Sequence, residues 1–483
     1  MRVLAVASEV FPLVKTGGLA DVTGALPLAL AELGVEVRTV VPGYPAVMNA
    51  IGEAPVIADW SGLVGGTVRL RSAKHRGLNV IAVQAPSLYE REGGLYGDAA
   101  GADHPDNWRR FAVLAQVAAR VAGGGLANYR ADLVHAHDWQ AGLTPAYLRF
   151  ATKTPPPSMM TIHNLAFQGQ FPASVFAELG LPASAWAVDG VEYYGGVGFL
   201  KGGLQSADAI TTVSPTYARE IATPAFGMGL DGLLRQRAGQ VRGILNGIDT
   251  LTWSPASDGL LEATYSAASL NRRKANRRVI EERLGLDHDD TPLLAVVSRL
   301  TWQKGMDLLA EACAMVPADE FRLAILGSGE KALEERLATF ARARPGRIGL
   351  KVGYDEALSH LLHGGADAIL VPSRFEPCGL TQMSGLRYGC VPIVARTGGL
   401  ADTVIDANIA ALRAGVANGF QFAPATSEAL AETLNQAIAL FRDRATWSRL
   451  QRNGMRADVS WVASARQYLE LFSSLVQAKA DAA

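Results

Sequence analysis

The six residues Thr-Gly-Gly-Leu-Ala-Asp occur twice in the chain, at 16–21 behind Lys15 and at 397–402 behind Arg396. A basic side chain followed by two glycines and a helix start suits an anionic ligand. The glycines let backbone approach closely, and the helix points free N–H groups and its positive dipole end at whatever lies there. A tight strand-to-helix turn would use glycines for itself, but two copies with a basic residue before each favour one anionic ligand shared by two domains. Arg299 and Lys304, in LLAVVSRLTWQKGMDLL, add two cations between a strand and a helix, a placement suited to phosphate. In AILVPSRFEPCGLTQ, Glu376 ends a strand just before Cys378 and Gly379 at a helix start. A carboxylate there orients a hydroxylated ligand or serves as an ordinary N-terminal helix charge. Cys378 has no evident base beside it, so a nucleophilic role is not expected.

Two further strand ends carry polar clusters: ADLVHAHDWQ with His135, His137 and Asp138, and TIHNLAFQGQ with His163 and Asn164. The His-x-His pair lacks a third ligand nearby, so a packed core histidine is preferred to a zinc site. GSGEKA at 327–332 matches a dinucleotide fingerprint but sits late in the chain, and it is read as a close strand–helix turn. DHDD at 287–290 is read as a solvated turn.

Short β-branched runs alternate with amphipathic helical stretches, and these elements must place the polar residues above. RVLAVAS, VEVRTVVP, LNVIAVQAP, ADLVHAHD, SMMTIHN and ADAITTVS are strands of the first half. PLLAVVSRL, FRLAILGSG, RIGLKVGY, ADAILVPSR, VPIVART and GFQFAP are strands of the second. Near-continuous apolar strands separated by helices predict parallel sheets covered on both faces, so each half is an α/β doubly wound unit. Ligands of such sheets bind outside the carboxyl ends of the strands, where every candidate residue falls. The join is expected near VRGILNGIDTLTWSPASD, giving domains 1–244 and 245–456, with 457–483 as a C-terminal helix packing back on the first.

A chain of 483 residues agrees with two domains. Its formal net charge of −1 gives no general field for nucleic acid or an anionic membrane. Three cysteines without close pairing argue against a disulfide framework and suit a reducing cytosol. No apolar run is long enough to span a membrane, and the N-terminus reads as a buried first strand and not a signal peptide.

In order, KTGGLADV, HAHDWQ, TIHNLAFQG, NGID, SRLTWQKG, VGYDEALSH, SRFEPCGLTQ and RTGGLADTV resemble the bacterial glycogen synthases over nearly the whole chain. The resemblance implies the GT-B fold, two Rossmann-like domains facing a deep cleft, an open unliganded form and closure over substrate. It implies retaining transfer of glucose from ADP-glucose to the non-reducing end of an α-1,4-glucan, in the cytoplasm. Neither a metal nor another cofactor is called for, and a monomer or weak oligomer is expected. Carried over by position, Lys15, Gly17 and Gly18 lie beside the donor phosphates, and Arg299 and Lys304 hold the diphosphate. Glu376 holds glucose hydroxyls, with Cys378, Gly379, Leu380 and Thr381 completing the sugar and phosphate contacts. His163 sits under the anomeric centre. Asp138 and Asn164 lie on the first domain's side of the sugar, with Asn246 beside them at the join. Tyr354 stacks on adenine, although a core tyrosine at a strand end is an equal reading, and Tyr96 belongs to a loop closing over the donor.

One stretch departs from the pattern. LTQMSGLRYG places Ser384 and Gly385 where relatives usually carry Tyr-Ala; the glycine predicts a weaker helix, and the lost ring either open space behind the nucleotide or a changed packing of that helix. UDP-glucose as donor and a non-catalytic binding protein on the same fold are the alternatives. An NAD oxidoreductase would rest on GSGEKA alone.

Overall fold

The apolar runs become strands of two separate sheets in the computed structural model, which describes residues 1–482; the last residue of the predicted segment 457–483 lies outside the described residues. The chain divides into two units, one of Met1–Asn246 with the residues from Trp461 onward, the other of Gly247–Ser460.

The first unit is built on β1 (Arg2–Val6), β2 (Glu36–Pro42), β3 (Val56–Leu63), β4 (Gly66–His75), β5 (Leu78–Gln84), β6 (Leu133–His137), β7 (Ser158–Ile162), β8 (Gln170–Phe171), β9 (Glu192–Tyr193), β10 (Gly196–Gly198), β11 (Ala209–Thr212) and β12 (Val241–Gly243). Its main sheet has the order β12-β11-β7-β6-β1-β2-β5-β4-β3. β6 and β7 are buried at every position, as strands covered on both faces must be.

Two features correct the expectation of purely parallel sheets. β4 runs antiparallel to both β3 and β5, and β8, β10 and β9 form a small antiparallel sheet of their own. The reason lies in the pattern VRLRS. Val68 and Leu70 point inward while Arg69 and Arg71 alternate outward, the period-two signature of a strand with one face exposed, here next to the edge strand β3.

The helix Trp461–Asp481 completes this unit. Trp461, Ala465, Tyr468 and Phe472 recur on one face and join Val3, Ala5, Leu26, Leu30 and Val37 in one core cluster. Tyr468 and Phe472 are fully buried, each stabilising the docking by about 2–3 kcal/mol.

The second unit holds β13 (Leu293–Val297), β14 (Arg322–Gly327), β15 (Ile348–Val352), β16 (Ala368–Val371), β17 (Val391–Ala395) and β18 (Phe420–Phe422), all parallel, in the order β15-β14-β13-β16-β17-β18. Counted from β13 this is 3-2-1-4-5-6, and the parallel part of the first unit follows the same winding outward from β1 and β6. In each unit the order reverses at one point, between β13 and β16 and between β1 and β6. A crevice forms there because the crossovers on either side lead to opposite faces of the sheet.

Helix starts are set locally. Asp355, Thr426 and Asp443 accept hydrogen bonds from backbone N–H groups of the helices they precede, and Gly285 ends the helix Arg273–Leu284 in the left-handed region. Gly385 fills a close contact. A Cβ there would lie 2.8 Å from the Ile369 Cγ2 and 3.0 Å from the Cys390 carbonyl oxygen, so an alanine at this position would force a neighbour to shift.

Candidate functional sites of the two units

At the switch point of the first unit, the loop after β1 is organised by a residue that the sequence reading passed over. Glu9 is buried, and its carboxylate accepts hydrogen bonds from the Thr16 N–H and hydroxyl, both at 2.5 Å, and from the Gly17 N–H at 3.2 Å. The Tyr96 hydroxyl donates to it at 2.5 Å and is also bonded to the Ser8 hydroxyl at 2.8 Å. Glu9 thereby ties Tyr96 to the first glycine loop. Burial, then the Glu9 charge, push the Tyr96 phenol well above its usual range, so it stays a donor. The one signal for Glu9 was a lone acid directly after the apolar strand RVLAVAS, where a charge needs partners. Lys15 is half exposed and pairs with Asp21 at 2.7 Å.

Beside this loop stand the ends of β6 and β7. Asp138 is buried with φ at +55°, a left-handed backbone that is unusual outside glycine. Its Oδ1 accepts from the His163 N–H at 2.7 Å and the Asn164 N–H at 3.4 Å. His163 Nε2 is hydrogen-bonded to His137 Nδ1 at 2.9 Å, the His137 ring lies against that of His135 with centroids 3.9 Å apart and planes tilted by 38°, and His135 Nε2 meets the Thr161 hydroxyl at 2.6 Å. Burial lowers His163 and His135 to about 3 and His137 well below its ordinary value, so the three rings are neutral. Both members of the His-x-His pair are thus core residues with ring and hydroxyl partners. Asn246, at the end of this unit, is buried with its Oδ1 unpartnered among the described residues.

Burial, opposed by the two backbone donors, raises the Asp138 carboxyl to about 7. Between about pH 4 and 7 the folded protein holds a proton that the unfolded chain has lost, so this group lowers stability as pH rises through that window. The shift is worth about 4 kcal/mol. Asp138→Asn keeps an acceptor oxygen and removes the titration. Wild type is therefore expected to lose stability relative to Asp138→Asn between pH 5 and pH 8 in urea melts. Parallel pH dependences would contradict the assignment.

In the second unit, a small cavity lies at the switch point, lined at the end of β13 by Val297, after it by Ser298 and Lys304, and after β16 by Ser373, Glu376 and Gly379–Thr381. Glu376 is buried, and its Oε2 accepts from Lys304 Nζ at 2.5 Å and from the Ser373 hydroxyl at 2.8 Å. The remaining carboxylate oxygen and the lysine stand together at a concave wall, an arrangement that meets hydroxyls and a phosphate side by side. Gly379 has φ +73°, and the Gln382 side chain donates to the carbonyls of Cys378 and Gly379, fixing the approach to the helix Thr381–Tyr388. Arg299 and Tyr354 are exposed at the ends of β13 and β15 and do not line this cavity. Tyr354 is 82 % exposed, which excludes the core reading.

The two Thr-Gly-Gly copies differ. Gly17 precedes a fifteen-residue helix and has open space around it. In the second copy the helix Gly398–Thr403 has only six residues, and Cβ atoms at Gly398 and Gly399 would lie 1.9 Å from the Glu376 carbonyl oxygen and 2.1 Å from that of Cys378. Both glycines admit the 376–378 segment, and so position Glu376. GSGEKA behaves as the expected tight turn, since a Cβ at Gly327 would lie 1.9 Å from the Ser298 carbonyl oxygen. DHDD is not a bare solvated turn. Asp289 pairs with Arg322 at 3.1 Å and with Arg347, and His288 is bonded to Glu281 at 2.6 Å.

Comparisons with known proteins agree on one family. Residues 2–236 match the family model described as starch synthase catalytic domain, and residues 278–453 match glycosyl transferases group 1. The glycogen synthase of Mesorhizobium japonicum is 57% identical over 476 residues, 99% of each chain, and that of Rhizobium johnstonii is 54% identical over the same span. The catalytic domain of starch synthase IV from Arabidopsis thaliana, solved bound to ADP and acarbose, superposes with a TM-score of 0.87 at 30% identity, covering 98% of this chain and 99% of that one. Sucrose-phosphate synthase from Thermosynechococcus elongatus, at 19% identity and a TM-score of 0.60, shares the fold.

Proposed function

The chain belongs to the glycogen synthase family, and from that premise we propose how its residues divide the transfer of glucose from ADP-glucose to an α-1,4-glucan. The observation that carries the reading is Glu376, buried between Lys304 and Ser373 at a switch-point cavity. Its carboxylate takes the glucose hydroxyls while Lys304 and the exposed Arg299 neutralise the charge that grows on the diphosphate as ADP leaves. The backbone around Cys378, Gly379, Leu380 and Thr381 completes the sugar and phosphate contacts, and Tyr354 offers its ring to adenine.

In the first unit, Lys15, Gly17 and Gly18 meet the phosphates, on a loop that Glu9 and Tyr96 hold in shape. His163 lies under the anomeric carbon. As a neutral ring it steadies an oxocarbenium-like transition state without adding like charge. Asp138 fixes the backbone of His163 and Asn164, and Asn246 contributes its unpartnered oxygen to a sugar hydroxyl. Substitution proceeds on one face of the sugar: the glycosidic C–O bond to phosphate breaks, the acceptor hydroxyl bonds to the anomeric carbon, and the departing phosphate takes the acceptor's proton. A double displacement needs a carboxylate nucleophile on the opposite face, and none of the assigned residues fills that role. Closure over the donor excludes water.

No described helix is long and apolar enough to cross a membrane. We place the protein in the cytoplasm, where its three free cysteines fit a reducing compartment, as a monomer or weak oligomer. The test of the mechanism is the stereochemistry of the product. Proton NMR of a maltooligosaccharide extended from ADP-glucose should show only new α-linked anomeric protons; a β signal would contradict retention.

A further inference from the structure

Among the described residues, four that are not glycine have positive φ: Arg76, Asp138, Tyr194 and Met228. Asp138 belongs to the site above. Tyr194 and Met228 lie close to one another, on a surface that continues from the His163 loop.

Tyr194 and Gly195, at φ +48° and +76°, are the two central residues of the β9–β10 hairpin turn. Such a turn needs positive φ at both positions and is ordinarily built from Asn-Gly or Asp-Gly. Here an aromatic ring takes the first position against that preference and is 76 % exposed. It rests against Tyr193, ring centroids 4.7 Å apart. Met228, also exposed, precedes Gly229, where a Cβ would lie 2.8 Å from the Tyr193 hydroxyl and 3.5 Å from that of Tyr194. The Gln168 side chain donates to the Met228 carbonyl at 3.0 Å. One residue before it, exposed Phe167 closes a turn with its N–H on the Asn164 carbonyl, so the patch is continuous in chain with the proposed sugar site. Backbone strain held in place to display an apolar ring marks a functional surface.

Phe167, Tyr194 and Met228 are themselves uncharged, and the Glu192 carboxylate beside them accepts from the Gly195 N–H of the turn at 2.8 Å. Flat rings edged by hydroxyls suit a ligand with C–H-lined faces and a hydroxyl rim, which is the chemistry of a glucan chain. We propose that Phe167, Tyr194 and Met228 form a platform for the acceptor glucan, holding glucose units beyond the one that receives the transfer. The inference rests on the glucosyl-transfer reading and adds where the growing chain lies.

The test is steady-state kinetics with maltotriose and maltoheptaose as acceptors, alongside direct binding of maltoheptaose to the enzyme without donor. Tyr194→Asn is the informative variant, because asparagine suits the left-handed turn and the fold should not suffer. We expect its KM for maltoheptaose to rise about tenfold, with the KM for ADP-glucose unmoved and the advantage of the longer acceptor reduced. Phe167→Ala should do the same. Arg76→Asn, at the equivalent turn position between β4 and β5, should alter neither. An unchanged maltoheptaose KM in both Tyr194→Asn and Phe167→Ala would overturn the platform. A folded wild type that neither transfers glucose nor binds maltoheptaose would overturn the reading beneath it.

Discussion

Lys304→Met is expected to lower the rate of glucosyl transfer at saturating ADP-glucose by about 10²–10³-fold, a loss of ~3–4 kcal/mol of transition-state stabilisation. The lysine stands 2.5 Å from the Glu376 carboxylate, so its charge is held where the diphosphate leaves and needs no reorganisation as the bond breaks. Its removal also leaves Glu376 with the Ser373 hydroxyl as its one remaining side-chain donor among the described residues, freeing the carboxylate to shift from the sugar. Lys304→Arg should recover only part of the rate, since a planar fork does not replace a compact ammonium at a donor distance this short. Melting temperatures within a few degrees of wild type would show that the loss is chemical. A variant retaining wild-type turnover would remove Lys304 from the mechanism.

Arg322→Met is expected to cost about 3–5 kcal/mol of stability in the second unit. Arg322 is fully buried at the start of β14 and bonds Glu281 at 2.6 Å, and Glu281 is as deeply buried. The same guanidinium donates to the carbonyls of Asp287, Asp289 and Thr291. Glu281 also collects Arg277 and Arg278 at 3.0 Å and His288 at 2.6 Å. Removing the arginine takes from Glu281 its most deeply buried cationic partner and from the Asp287 carbonyl this donor, whereas replacing both partners by apolar residues costs less. Calorimetry of the full chain should show the unfolding of the second unit displaced to lower temperature by Arg322→Met and partly restored by adding Glu281→Met. Equal losses in the single and double variants would contradict the account.

Much of this was legible in the sequence because periodicity and strand-end polarity are local signals. RVLAVAS, SMMTIHN and PLLAVVSRL read directly as buried parallel strands, and Lys304 and Glu376 read as strand-end charges. What escaped depended on partners far away in the chain. Glu9 looks like one acid in an apolar run until Thr16 and Tyr96 are seen to converge on it. DHDD looks solvated until Arg322 and Arg347 arrive from other elements. That Gly398 and Gly399 admit the carbonyls of Glu376 and Cys378, some twenty residues upstream, was equally invisible in the sequence. The β3–β4 hairpin is a different case. Its alternation VRLRS was readable, and it was passed over because the surrounding βα pattern suggested only parallel strands.

The measurement that tests the central claim most directly is incorporation of radiolabelled glucose into glycogen, from ADP-glucose and from UDP-glucose in parallel, with Glu376→Ala beside the wild type. The account predicts incorporation from ADP-glucose, well above that from UDP-glucose, and its loss in the variant. Wild-type protein that is folded and binds ADP but incorporates no glucose from ADP-glucose would contradict it.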